Sequence, residues 1–287
     1  MPGVGTFQVV EPKPVSGHDP RLAGRTALVT GAAGAIGYGI CKGLLERGCH
    51  VAITDLPGDR FGNFVAEFQK RDAARVIAAP MDVTDPVSVA RGFAHVSAHW
   101  GGVDIVVINA GVATTGPLSE LELETFRRLE RVNVEGTLLV LGEAGRHFAR
   151  QNRGGDIVLI STKNVFAPGA GFGAYSATKA AAHQLARIAS LEFAPLQVRV
   201  NMVAPDAVFS GGAHKSGLWA AVGPGRMKAR GLDEKGLEEY YRNRNLLKAR
   251  VTAEHVANAV LFFATRQTPT TGACLPVDGG LPDATPR

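Results

Sequence analysis

Cysteine is scarce, with three residues in 287, at positions 41, 49 and 274. They form neither an even disulfide set nor a metal-ligand spacing. A disulfide-stapled fold is therefore excluded, and free thiols in a reducing compartment are expected. No apolar run reaches the roughly 18 residues that a membrane span needs. Met1 to Pro20 carries four prolines and no apolar centre, which does not match a signal peptide. It reads as a flexible arm over residues 1–21. A cytoplasmic protein without a membrane partner is the expectation. Lys and Arg exceed Asp and Glu by 31 to 26, yet no basic block is longer than two residues. A nucleic-acid footprint is not indicated.

What the chain has is 45% hydrophobic residues, enough for a buried core without covalent staples. Short apolar runs alternate with helical patterns from Arg25 onward. The runs are Thr26–Thr30, His50–Thr54, Arg75–Ala79, Asp104–Ile108, Asp156–Ile160, Val198–Val203 and Ala273–Val277. They are rich in Val and Ile and mostly lack polar alternation, as strands buried on both faces do. The pattern predicts one doubly wound α/β (Rossmann) domain over 22–287 with a seven-stranded parallel sheet. Asp85-Pro86 reads as a helix N-cap followed by proline at the first helical position. Ser119 with Glu122 reads as a capping box, and Thr252 as the cap of a helix running to about Ala264. The stretch at about 206–247 has no strand pattern and is expected to be a helical insert over the substrate.

The first strand runs into Thr30-Gly31-Ala32-Ala33-Gly34-Ala35-Ile36-Gly37. Three glycines between a strand and a helix let the backbone approach a pyrophosphate, and the helix N-terminus supplies free N–H groups and a favourable dipole. Gly31, Gly34, Ala35, Ile36 and Gly37 are the candidate phosphate contacts. The second strand ends at Asp55, where a carboxylate accepts hydrogen bonds from ribose hydroxyls and repels a 2′-phosphate. Leu56, Pro57 and Gly58 offer no arginine for that phosphate, nor do the loop positions Ala32, Ala33 and Ala35, and Arg60 is the one cation nearby. The cofactor expected is NAD rather than NADP.

Tyr175 and Lys179 stand four residues apart in a helical pattern from Ala174 to Ala194, and so share one face. An ammonium beside a phenol is expected to lower the phenol's pKa and fit it for proton exchange with a substrate hydroxyl.

Over essentially residues 22–280 the sequence resembles the short-chain dehydrogenase/reductase family. The resemblance is carried by TGAAGAIG at 30–37, Asp82-Val83, Asn109-Ala110-Gly111, Asn133 in NVEG, Tyr175 and Lys179 in YSATK, and VDGG at 277–280. It implies Tyr175 as the general acid/base and Lys179 as the residue that holds the nicotinamide ribose. Asn133 would anchor a water in a proton relay. Asp82 and Val83 would flank the adenine, Asn109 to Gly111 would line the cofactor floor, and Pro205 and Val208 would meet the nicotinamide. The hydroxyl that polarises the substrate oxygen would lie about thirteen residues before the tyrosine, at Thr162. Ser161 beside it is the alternative, and strand alternation lets only one of the two face the site. Asp206, where the family usually has glycine, either binds a substrate hydroxyl or caps the next helix.

Residues 161–188, 201–211 and 237–264 are also similar to the dehydrogenase half of bifunctional rhamnulose-1-phosphate aldolase/short-chain dehydrogenase proteins. Thr162-Lys163 and the LEEYY…LLK insert are similar to sorbitol-6-phosphate dehydrogenase. Both imply a sugar-derived alcohol or aldehyde as the small-molecule substrate. Lys163 is the candidate substrate contact. His214, Lys215, Arg226, Lys228, Arg230, Arg242, Arg244, Lys248 and Arg250 of the insert either favour an anionic substrate or form solvated helix faces. His183 reads as an interface or core histidine, and Trp219 and Tyr240-Tyr241 either line the lid or pack, with packing favoured. A homotetramer or dimer is implied by the resemblance. A non-catalytic NAD-sensing or scaffolding protein on the same fold is the alternative, although such proteins usually lose Tyr175 or Lys179.

Overall fold

In the computed structural model, residues 19–284 are described. The expected N-terminal arm lies outside the described residues through position 18. Asp19 to Arg21 lead into a turn that buries Leu22 completely.

The elements in chain order are β1 (Thr26–Val29), α1 (Ala35–Glu46), β2 (His50–Ile53), α2 (Asp59–Gln69), β3 (Val76–Ala78), α3 (Pro86–Trp100) and β4 (Ile105–Ile108). There follow α4 (Leu123–Glu130), α5 (Gly136–Gln151), β5 (Gly155–Ile160), α6 (Gly173–Glu192) and β6 (Val198–Pro205). A short hairpin, β7 (Ser210–Gly211) and β8 (His214–Lys215), opens the insert. Next come α7 (Gly217–Lys228), α8 (Glu234–Asn243), α9 (Ala253–Ala264) and β9 (Cys274–Val277). The seven long strands form one parallel sheet in the order β3-β2-β1-β4-β5-β6-β9. All seven expected strands are present.

The apolar strands drive this arrangement, because burial of both sheet faces requires helices on each side. One face packs against α1, α2 and α9 through Ile40, Leu44, Phe64, Phe68 and Val260. The other packs against α3, α5 and α6 through Phe93, Val96, Leu141, Phe148 and Ala186. The strand order reverses between β1 and β4, and the crevice beyond their carboxyl ends is where such sheets bind ligands.

Two helix starts follow the local sequence. Asp85 accepts a hydrogen bond from Val87 N with Pro86 in the first turn. Thr252 caps α9 and forms a capping box with His255. The Ser119–Glu122 capping box does not form. Residues 118–120 make a separate short helical turn, and α4 begins after Glu122 without a side-chain cap. The insert also departs from expectation by including the hairpin β7–β8. His214 fastens that hairpin to α2, with Nε2 2.8 Å from Glu67 Oε2 and its ring on Tyr38 at 4.8 Å. Among the described residues no helix is long and apolar enough to cross a membrane.

Candidate active site

The loop after β1 builds the floor of a long groove. Gly31 sits at φ +59°, and a methyl there would collide with the backbone of Ala110. A methyl on Gly37 would meet Ala32 O at 2.3 Å. Gly34 is different, since a methyl there would find only Gly31 O at 3.8 Å. The space it leaves opens into the groove, at the N-terminus of α1 where no side chain caps the helix. That is a cradle for a phosphate on free N–H groups.

Asp55 closes one end. Its Oδ2 accepts from Ala33 N at 2.9 Å and its Oδ1 from Leu56 N at 2.8 Å. Arg60, on the exposed start of α2, stands 3.8 Å from it. Leu56, Asp82, Val83, Asn109, Ala110 and Gly111 line the same groove. Asn109 is held by its amide, which donates to Thr30 O and Gly31 O at 3.0 and 2.7 Å. The donor set and the open cradle fit a dinucleotide.

The groove adjoins a second cleft, lined by Thr162, Lys163, Tyr175, Lys179, Pro205, Asp206 and Val208. The two share Ile36, Asn109, Gly111, Ser216 and Leu218. Helix α6 presents Tyr175 and Lys179 on one face, as their spacing requires. Thr162, just past β5, lines the cleft with Tyr175, and its Oγ1 accepts from Asn164 N at 3.3 Å. The Ser161 hydroxyl is instead engaged by His183, with Oγ 2.9 Å from Nδ1. Lys179 Nζ donates to Ile160 O at 3.0 Å. Glycine at 111 lets the backbone cross this point, since a methyl would lie 3.2 Å from both Lys179 Nζ and Asn133 Oδ1.

Asn133 is fully buried behind that floor, in a widened π turn over Arg131–Glu135 between α4 and α5. Its amide accepts from Val112 N and donates to Val112 O and to Thr178 Oγ1. The side chain is thereby committed to holding the floor and α6 together.

The electrostatics correct one expectation. Burial lifts the Tyr175 phenol to about 12, with only the Thr162 hydroxyl pulling it down. Burial also lowers the Lys179 ammonium to about 8. Lys179 Nζ donates to Ile160 O rather than to the phenol, and loss of water is the largest effect on both groups.

The insert supplies the outer wall. Trp219 stacks on Phe209 with ring centroids 4.5 Å apart, and Tyr241 meets Trp219 edge-on at 4.9 Å. Trp219 and Tyr241 therefore pack and also line the cleft. Asp206 caps no helix. Its carboxylate is held by Arg244 of the α8 end, through contacts of 2.5, 2.7 and 3.2 Å. Most other insert cations lie on the surface, as with Lys215 on Glu234 and Arg242 and Arg250 on Glu239. Arg244 and Arg226 are the two that reach the cleft. The sequence named them among nine insert cations and carries no signal that singles them out.

Residues 25–221 match the family described as short chain dehydrogenase. The chain belongs to that family. It is an oxidoreductase acting on CH–OH groups, and short-chain dehydrogenases bind NAD or NADP. An uncharacterized oxidoreductase of Bacillus subtilis, YuxG, is 37% identical over 265 residues, covering 92% of this chain and 38% of its own length. The chain thus spans well under half of that relative. The sorbitol dehydrogenase of Cereibacter sphaeroides is 35% identical over 198 residues, 69% of this chain and 75% of its own. Among solved short-chain dehydrogenases, sorbitol-6-phosphate 2-dehydrogenase SrlD from Erwinia amylovora superposes with a TM-score of 0.81. It has 27% sequence identity and covers 89% of this chain and 98% of that one.

Proposed function

We propose that this chain is an NAD-dependent oxidoreductase that transfers hydride between nicotinamide and a sugar-derived alcohol or aldehyde, such as a polyol, a sugar, a sugar phosphate or lactaldehyde. The observation that carries this reading is that Thr162, Tyr175 and Lys179 line one cleft, which shares its floor with the Asp55 groove. Nicotinamide, when bound, supplies the hydride acceptor or donor. The protein's own residues manage the oxygen and its proton. The Thr162 hydroxyl positions the substrate oxygen. The Tyr175 phenol gives that oxygen a proton in reduction, and the phenolate takes it in oxidation.

Lys179, anchored on Ile160 O, would hold the nicotinamide ribose. Asn133 fixes the floor beneath it and, on the family pattern, anchors the water of a proton relay. Asp82, Val83 and the 109–111 turn would bracket the adenine half, and Pro205 and Val208 the carboxamide. Lys163 and the Arg244-bound Asp206 would meet the substrate. NAD is favoured over NADP because a carboxylate at the end of β2 receives ribose hydroxyls and repels a 2′-phosphate, and the nearest cation, Arg60, is drawn toward that carboxylate.

A homotetramer or dimer is supported by apolar side chains left exposed on the helices carrying the site. Leu138 of α5 is 52% exposed and Leu191 of α6 is 75% exposed. A reducing, cytoplasmic setting is supported by Cys41 and Cys49, both buried and unpaired. The test is NADH formation from NAD on lactaldehyde, polyols, deoxy sugars and their phosphates. Turnover of at least one class is expected, and binding of NADH without turnover on the whole panel would return the chain to a non-catalytic role.

A further inference from the structure

Resting on the dehydrogenase reading above, we propose that the substrate of this cleft carries an oxyanion, a phosphate or a carboxylate, held by Lys163 and Arg226. The charged side chains lining the cleft are Lys163, Lys179, Arg226 and Arg244 against Asp206 alone. Asp206 is occupied by Arg244, and the pair cancels. Lys179 is fixed on Ile160 O beside the cofactor floor. Two cations are left, and neither has a carboxylate within ion-pair distance among the described residues.

Both are tied to one loop. Lys163 Nζ donates to Ala167 O at 2.9 Å, and Arg226 donates from its terminal nitrogen to Ala170 O at 3.2 Å. An ammonium has three donors, so Lys163 keeps two. Arg226 lies 4.9 Å over the Phe172 ring, which orients its plane, and its Nε is buried without a hydrogen-bond partner. Lys163 is itself buried, which disfavours its charge; Arg244 and Asp206 act on it in opposite senses, and Arg226 adds to the repulsion. The one further carboxylate that acts on it, Asp283, sits on an exposed stretch near the chain's end. A neutral polyol would leave these two like charges uncompensated. An oxyanion would use the free ammonium donors and the guanidinium together.

The experiment compares one carbon skeleton in three forms: unmodified, with a terminal phosphate, and with a terminal carboxylate. kcat/KM is measured for each with NAD, in wild type, Arg226→Gln, Arg226→Lys and Lys163→Met. In wild type an anionic form should exceed the neutral one by about tenfold or more, and the advantage should shrink with added salt. Arg226→Gln and Lys163→Met should each cut the anionic-to-neutral ratio about tenfold, with Arg226→Lys retaining more of it. As a binding readout, inorganic phosphate should raise the Tm of NADH-saturated wild type at constant ionic strength, and should raise that of Lys163→Met less. Whichever anionic form wins identifies the oxyanion. A neutral form turned over as well as either anionic form, or a ratio unmoved by the substitutions, overturns the inference and leaves the dehydrogenase standing. Absence of turnover on all three forms and on the wider panel, with NADH bound, overturns both.

Discussion

Ser161 and His183 are joined side chain to side chain, Oγ to Nδ1 at 2.9 Å. The bond commits one of two adjacent hydroxyls to the imidazole of α6, while the other, Thr162, lines the cleft with Tyr175. Thr162→Ala should therefore lower kcat by about 10²–10³-fold, the loss seen when a donor to a developing oxyanion is removed. Ser161→Ala should keep most of its turnover and cost about 1 kcal/mol of stability for a lost buried hydrogen bond. Steady-state kinetics and urea unfolding of both variants check this. The opposite order of activities would move the role to Ser161.

Tyr175 should show its burial in the direction of the pH dependence. With the phenol held at about 12, oxidation draws on a phenolate whose fraction grows tenfold per pH unit. Reduction draws on a phenol that is already fully protonated. kcat/KM for oxidation should climb from neutral into alkaline pH, and that for reduction should not. Tyr175→Phe should lose about 10²–10⁴-fold in both directions. Paired pH profiles decide it, and an oxidation profile flat from neutral pH upward would contradict it.

Asp55→Asn tests the cofactor end of the groove. Wild type should bind NADH more tightly than NADPH. The asparagine should weaken NADH by about tenfold, the worth of a hydrogen bond to a charged group, and close much of the gap to NADPH. Fluorescence titration with each nucleotide gives both Kd values.

Lys179 links the site to stability. Burial lowers its ammonium from an ordinary 10.5 to about 8, so protonation is harder in the folded chain than in the unfolded one. Its favourable contribution is present above 10.5 and is lost as pH falls through 8. Lys179→Met escapes that loss. Its stability relative to wild type should be greater at pH 7 than near pH 9.5, by about 2 kcal/mol. Urea unfolding of the two proteins at both pH values measures the difference.

The frame was legible because its signals are local. Val- and Ile-rich runs, Asp85-Pro86 and Thr252 each act over a few residues, and the structure follows them. The site motifs at Gly31–Gly37, Asp55 and Tyr175–Lys179 are short for the same reason, and they meet around one crevice. Ser119–Glu122 failed because capping spacing alone does not start a helix where the chain instead closes a separate turn. The environment of Tyr175 was not legible, since burial from every side outweighs the neighbour four residues away. Nor was the partnership of Asp206 with Arg244, 38 residues apart, which exists only once α8 has folded back over β6.

The insert is fastened at both ends. His214 holds its opening hairpin to α2, and past α8 the N–H groups of Leu246 and Leu247 donate to Gly280 O and Gly279 O at 2.8 and 3.0 Å. A long loop divided by such anchors has already surrendered most of its configurational entropy when the chain folds. Less is left to surrender when a substrate arrives, so any contact it makes with the cleft-lining Trp219, Tyr241 and Arg226 counts more fully toward affinity.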